Sequence, residues 1–145
     1  MKIQACCKKY DVEDEGMESP RIGIQIAAPT SNEFFEISGV LDTGCDDAIA
    51  IPLALIEELG IRLPALGRSI SSTANGPAPM IESAADVRIA CSSGRSITFQ
   101  SIPISIDENL DEILVGMGLL RYFNIHFTDG EPKVFEFNDK AIQSS

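Results

Sequence analysis

The sequence lacks several features that mark familiar classes of protein. It contains no tryptophan and one histidine, and no apolar run approaches the roughly 18 residues that a membrane-spanning helix needs. Its four cysteines, at positions 6, 7, 45 and 91, form no Cys-x-x-Cys pair, and a single histidine cannot complete a zinc site with them. We therefore expect no metal, no other cofactor and no membrane partner.

Basic residues are scarce as well. Eleven Lys and Arg stand against 22 Asp and Glu, which gives a formal net charge of −11. Binding to a phosphate backbone requires a Lys/Arg surface, so no nucleic-acid partner is expected. The acidic residues gather at 11–18 and 107–112, which we interpret as solvated faces or mobile ends. No charged-then-apolar leader opens the chain, and we expect a cytoplasmic protein with free thiols.

What the sequence does contain is enough chain for one core. At 145 residues it suits a single domain. Residues 1–20 show no sustained periodicity, and we interpret them as an N-terminal extension in which 1–7 are compatible with a short edge strand. Residues 21–145 are predicted to form the domain. Strand-like alternation recurs along it, at 22–26, 34–41, 85–91, 96–100, 102–106, 124–128 and 133–137.

Helical signals are few and short. One helix is predicted at 53–59, after Pro52 and before Gly60, and a second at 117–123. No long helices alternate with the strands, which argues against a doubly wound sheet. The predicted fold class is therefore all-β, a closed barrel-like fold with two short helices.

The stretch that bears chemistry is residues 40–47, Val-Leu-Asp-Thr-Gly-Cys-Asp-Asp. Asp42 directly follows apolar residues, and burying a carboxylate is costly unless it is paired or hydrogen-bonded. An Asx-type turn, with Asp42 capping a bend and Gly44 supplying a positive φ, is the structural interpretation. A functional one is favoured by a later apolar pair and glycine at 114–116, which opens the second helix.

A second candidate element is a hairpin within residues 68–82. Asn75-Gly76 is the strongest short hairpin signal available, and small polar residues flank it. The pattern alone leaves open a plain surface hairpin and a functional one.

Two residues with reactive side chains are given structural roles. Cys45 is interpreted as a compact buried filler rather than a nucleophile. Ile125 and Phe127 share one strand face, so His126 points the other way and is predicted to be exposed without a catalytic role.

Together, the Asp42-Thr43-Gly44 loop and the Leu114-Val115-Gly116 element resemble the retroviral-type, or retropepsin-like, aspartic proteases. In that family an apolar-Asp-Thr/Ser-Gly loop is matched later by an apolar-apolar-Gly element. The resemblance covers residues 21–137. It implies the acid-protease fold and the hydrolysis of peptide bonds in a peptide or protein substrate.

The resemblance also assigns roles to individual residues. Asp42, Thr43 and Gly44 would form the catalytic loop, in which Thr43 holds two such loops together. Asp46 matches a position that hydrogen-bonds the substrate main chain. The hairpin would be a flap that closes over the substrate, with Asn75 and Gly76 at its tip.

Peptide hydrolysis by carboxylates needs two of them close together, and this chain has one such loop. A twofold axis would supply the second copy of Asp42, so the resemblance implies a homodimer. Gly116 would pack under the loop where no side chain fits. The chain departs from the family at Met117 and Gly118, where relatives carry polar or basic residues.

Other functions are alternatives to the protease. An aspartyl nucleophile of the phosphatase type needs a second acid two residues on, where Gly44 stands, and a phosphorylated pump loop needs Lys where Thr43 stands. The remaining alternative is a catalytically silent retropepsin-like module that binds other proteins. The intact Asp42 loop argues against that module, and the altered residues 117–118 argue for it.

Overall fold

Eleven strands and two short helices make up the part of the chain that the computed structural model describes, which is residues 2–4, 7–8, 19–73, 76–90, 96–128 and 131–137. In chain order they are β1 (Lys2–Gln4), β2 (Cys7–Lys8), β3 (Ser19–Ala27), β4 (Phe35–Leu41), β5 (Ile49–Pro52), α1 (Leu53–Leu59), β6 (Gly67–Thr73), β7 (Gly76–Ala90), β8 (Ser96–Asp107), β9 (Leu114–Val115), α2 (Met117–Leu120), β10 (Phe123–Thr128) and β11 (Glu131–Phe137).

Six of these strands close into a ring. β3, β4, β9, β5, β8 and β7 are hydrogen-bonded neighbours in that order, and β7 pairs back onto β3 through Gln25↔Arg88 to Ala27↔Asp86. β2 extends the sheet beyond β3, and β6 extends it beyond β7. β1, β11 and β10 form a separate three-stranded sheet. The expected all-β architecture with two short helices is confirmed. The sheet closes on itself through this ring of six strands.

The core follows from the alternation of the strands. Ile22, Ile24 and Ile26 are 2%, 3% and 0% exposed, and the glycine and glutamine between them face outward, as a strand with one buried face requires. These isoleucines join one hydrophobic cluster with apolar residues of β5, β7, β8, α1 and α2. β-branched residues dominate it, in keeping with their preference for a pleated, packed surface.

Local signals set the helix ends. α1 begins after Pro52, whose extended φ/ψ of −61°/134° makes it the N-cap, and it ends at Gly60, which takes a left-handed φ of 69°. α2 is shorter than predicted, because Phe123 leaves the helix to pair with Phe137 as the first residue of β10. Within the described ranges no helix is long and apolar enough to cross a membrane.

Two predicted strand pairs prove to be single long strands. β7 runs through the predicted hairpin into the predicted strand at 85–91, and β8 joins the strands predicted at 96–100 and 102–106. A register shift between Ala85 and Val87, opposite a left-handed Ser101 (φ 49°), bends both strands without ending them. The buried Asp86 stabilises this bend: its carboxylate accepts the Ser101 N–H at 2.8 Å and the Thr30 N–H at 3.3 Å.

The ends of the chain contribute to both sheets. β1, inside the predicted edge strand at 1–7, lies at the edge of the three-stranded sheet against β11, and β2 pairs with β3. The division into an extension at 1–20 and a domain at 21–145 stays a prediction. The sequence also predicts turns at Ser92-Ser93-Gly94 and at Asp129-Gly130, and both lie outside the described residues.

Candidate active site

Asp42 lies directly beyond the end of β4. The parallel pairing of Leu41 with Val115 brings it beside the second motif, and its N–H donates to the Val115 carbonyl at 2.9 Å. Its Oδ1 accepts the Gly44 N–H at 2.9 Å, so the Asx-type turn considered from the sequence is present. The positive φ expected at Gly44 is wrong: among the described glycines only Gly60 and Gly76 have one, because an Asx turn closed by the Asp42 side chain does not require it. The other carboxylate oxygen, Oδ2, has no hydrogen-bond partner among the residues that the structure describes. The turn therefore explains the position of one carboxylate oxygen of Asp42 and leaves the other without a structural role.

The second motif packs under the loop through its backbone. The Gly116 N–H donates to Ala48 O at 3.0 Å, the Met117 N–H to Cys45 O at 2.8 Å, and the Gly118 N–H to Asp47 O at 3.3 Å. A Cβ on Gly116 would lie 2.5 Å from Cys45 O and closer still to Asp47 O. The prediction that no side chain fits at Gly116 is confirmed.

The remaining acids of the loop differ in their surroundings. Asp46 is exposed, and so are Thr43 and Gly44. Asp47 is half-buried, and its Oδ2 accepts the hydroxyl of the buried Ser105 at 2.8 Å. The hydrogen bond from Ser105 of β8 therefore fixes the Asp47 side chain, whereas the Asp46 side chain is exposed at the surface of the loop.

Cys45 is half-buried between these acids. Burial raises the pKa of its thiol, and the charges of Asp47, Asp42 and Asp46 act in the same direction, against a backbone hydrogen bond at Asp47 that lowers it. The thiol is therefore protonated at neutral pH, which suits the structural role predicted for it and not that of a nucleophile.

A cleft of about 640 Å³ opens beside the loop. Its walls come from the loop, from β5, from the hairpin of β6 and β7, from the end of β8 and the segment after it, and from β9. The lining residues are Asp42, Gly44, Cys45, Asp46, Asp47, Ala50, Ile70, Met80, Asp107, Leu110 and Leu114. In the described ranges no group of three or more His, Cys, Asp or Glu side chains is arranged to hold a metal ion.

The predicted hairpin is present, and it borders this cleft. β6 and β7 pair antiparallel from Gly67↔Glu82 to Thr73↔Gly76, and Ile70 and Met80 line the cleft with Asp42. Gly76 has a positive φ of 103°, which a glycine adopts without steric cost. Asn75, the other predicted tip residue, lies outside the described residues. Ile70 is 75% exposed, which is unusual for an isoleucine pointing toward a cleft.

The two edges of this hairpin differ. Pro77 and Pro79 have no N–H, so their pairs with Ser72 and Ile70 are of the non-hydrogen-bonded kind, and their backbones face away from β6. β8 ends at Asp107, opposite Met80, so the prolines occupy the stretch of β7 that β8 does not cover. Prolines in such places protect an edge from further strands. β6 is the terminal strand of the described sheet, and its outer edge is open.

Sequence reasoning missed Asp107 and Leu110 as cleft residues. The acidic run 107–112 was interpreted as a solvated face, which is wrong for Asp107, because it is 7% exposed. The available signal was the same as for Asp42: a carboxylate directly after an alternating apolar strand. His126 lies in β10 and is exposed, as predicted.

Comparison with known proteins gives the fold. No protein-family model matches the sequence, and no curated protein is detectably similar to it. A retropepsin-like aspartic protease from Rickettsia conorii is similar in structure, with a TM-score of 0.55 and 19% identity over 94% of both chains. So is the EIAV protease in complex with the inhibitor HBY-793, with a TM-score of 0.50 and 17% identity over 79% of this chain and 92% of that one. The chain therefore has the retropepsin-like fold.

Proposed function

We propose that this protein is an aspartic endopeptidase that acts as a homodimer, with Asp42 from each subunit forming the catalytic pair. The observation that carries the proposal is the position of Asp42 in a retropepsin-like fold: it lines a 640 Å³ cleft beneath a hairpin, with one carboxylate oxygen engaged by its own turn and the other without a partner among the described residues.

The chemistry requires the second subunit. One carboxylate must be ionised to take a proton from the attacking water, and the other protonated to hydrogen-bond the scissile carbonyl. This chain has one Asp-Thr-Gly loop, and an isologous twofold contact would bring the same residue from each subunit face to face. The exposed Thr43 and Gly44 leave the loop accessible for such a contact.

The cleft suits an extended peptide. The exposed Asp46 can accept hydrogen bonds from substrate amides, in the role that the resemblance implies for it. The open outer edge of β6 presents the backbone groups of Arg68, Ile70 and Ser72, to which a peptide strand can add. An added strand there would cover Ile70, whose exposure the isolated chain leaves unexplained.

The test is the Asp42→Asn variant assayed on a peptide library. We expect cleavage to fall by roughly 10³-fold or more, because the amide cannot act as a base. The melting temperature should be unchanged or higher, since the substitution removes two like charges that would lie close together in the dimer. Asp111→Asn is the matched control: it removes one carboxylate from an exposed position outside the cleft and should cleave like the wild type.

Dilution tests the dimer independently. Well below the dissociation constant, wild-type activity should fall with the square of the protein concentration, and sedimentation should report monomers over the same range. Undiminished specific activity of a monomer, or cleavage by the Asn variant, would show that the catalytic pair has been assigned wrongly.

A silent protein-interaction module is the second candidate, and the residues that favour it are Met117 and Gly118, which lack the polar groups of relatives. A pepstatin-type inhibitor distinguishes the two. A protease should show a rise in melting temperature on binding it. A silent module should show neither this rise nor cleavage of any peptide in the library.

A further inference from the structure

One carboxylate in the wall of the cleft has no role in the proposed hydrolysis. Asp107 is the last residue of β8, and it is 7% exposed. Side chains alternate along a strand, and Ile104 and Ile106 of β8 belong to the hydrophobic core. Ser105 and Asp107 therefore share the opposite face, on which the Ser105 hydroxyl meets Asp47 of the cleft.

The local structure engages only one of the two carboxylate oxygens of Asp107. Its Oδ1 accepts the Asn109 N–H at 2.8 Å, which forms an Asx turn at the strand end. Its Oδ2 has no hydrogen-bond partner among the described residues. The residue is only 7% exposed, yet this oxygen is not among the fully buried unpaired atoms of the described chain, so it meets solvent in the cleft and can accept a partner there. None of the cleft-lining residues is a Lys, Arg or His, so the described wall does not supply a cation.

The surroundings of Asp107 are apolar. Met80 stands directly opposite it in the β7–β8 register, and Ile70, Leu110 and Leu114 line the same cleft. Apolar walls that lead to a buried carboxylate match one kind of side chain: a long aliphatic stem that ends in a cation. Lys and Arg bury their stems against apolar surface and place the charged head on a polar partner in this way.

We propose that this part of the cleft is a specificity subsite for a lysine or arginine side chain of the substrate, with Asp107 as the residue that binds the charged head. The inference rests on the proposed peptidase function and adds the substrate class: peptides with a basic residue near the scissile bond. Asp47 lies on the same side of the cleft and also has one oxygen engaged, by Ser105, but Asp107 is the one that stands opposite the apolar Met80, so we assign the selection to Asp107.

The experiment compares matched peptides that differ at one position, with Lys or its uncharged analogue norleucine placed in turn at each position around the cleavage site. At one position, the wild type should cleave the Lys peptide with a kcat/KM roughly 10- to 100-fold above that of the norleucine peptide, the range expected for a charged hydrogen bond. Asp107→Asn keeps an acceptor for the Asn109 N–H but removes the charge, and the Lys-to-norleucine ratio should fall toward one.

Glu108→Gln is the matched control, because it removes the same charge from the next residue, which is exposed and does not line the cleft. Its Lys-to-norleucine ratio should equal that of the wild type. A wild type that cleaves peptides without a preference for Lys at any position would overturn the subsite and leave the peptidase intact. So would a preference that survives Asp107→Asn. Absence of cleavage of every peptide would instead contradict the proposed function.

Discussion

Gly116→Ala should reveal how tightly the second motif supports the Asp42 loop. The added methyl group would lie 2.5 Å from Cys45 O and 2.9 Å from Cys45 Cβ, with Asp47 O closer still. A carbon and a carbonyl oxygen normally stay roughly 3.3 Å apart. The loop and the motif must therefore separate by at least about 0.8 Å, and the obstacle is backbone, which cannot rotate away as a side chain would.

The expected cost has two parts. Forcing an extra carbon into a packed interior costs about 1–3 kcal/mol. Separation also stretches the bond from the Met117 N–H to Cys45 O, and a hydrogen bond contributes about 0.5–1.5 kcal/mol. Together these give a destabilisation of about 2–4 kcal/mol, or a fall in melting temperature of about 6–16 °C for a chain of this size.

Thermal unfolding followed by circular dichroism measures this shift. Gly23→Ala is the matched control, because Gly23 lies exposed in β3 with no atom within 4 Å of an added Cβ, and the change there should be neutral or slightly stabilising. A Gly116→Ala variant that melts within about 2 °C of the wild type would refute the close packing of motif and loop. Where the proposed peptidase activity is measurable, the same variant should lose it in step with displacement of the loop.

Two further predictions concern buried acids and thiols. Asp86→Ala should lower the free energy of unfolding, measured in urea, by about 2–4 kcal/mol, since it removes a charged acceptor from the N–H groups of Thr30 and Ser101. A decrease below about 0.5 kcal/mol would contradict the stabilisation of the β7–β8 bend by Asp86. Because the pKa of Cys45 is raised above its ordinary value of 9.0, the folded state should lose stability as pH rises above 9. To measure the Cys45 thiol alone, the other three cysteines are changed to Ser. At pH 9, Cys45 should be alkylated more slowly in the folded protein than in the unfolded protein, and equal rates would refute the raised pKa.

Local signals made much of the fold predictable. The alternating isoleucines of β3 gave its buried face, and Pro52 and Gly60 gave both ends of α1, because each of these features depends on neighbours within a few residues. The long strands β7 and β8 were not predictable. Their shared bend depends on Asp86 bridging Thr30 and Ser101, which are distant in sequence, and a bend in one strand resembles a break when the pattern is read alone.

The candidate site divides in the same way. The Asp42 turn was expected from a short motif, because a carboxylate after a strand is a local feature, whereas the packing of Gly116 under the loop joins distant parts of the chain and was implied by the family resemblance. Asp107 was hidden within an acidic run, where charge pattern suggested solvent. Asp107 pairs with Met80, which belongs to the hairpin on the neighbouring strand β7. The pairing of β7 with β8 cannot be deduced from the charges of one segment.

The departures at Met117 and Gly118 are explained by how the loop is braced. The family resemblance implies polar or basic side chains at these positions, and their absence from the sequence suggests a weakened support. The support in this chain is made by three consecutive backbone N–H groups, of residues 116–118, which donate to the carbonyls of Ala48, Cys45 and Asp47. Such bonds need no particular side chain at 117, and Met117 is 39% exposed. They do need close approach at 118, where an added Cβ would lie 2.5 Å from Ala48 N. The glycine at 118 therefore permits this short distance between motif and loop, and backbone hydrogen bonds support the loop that carries Asp42.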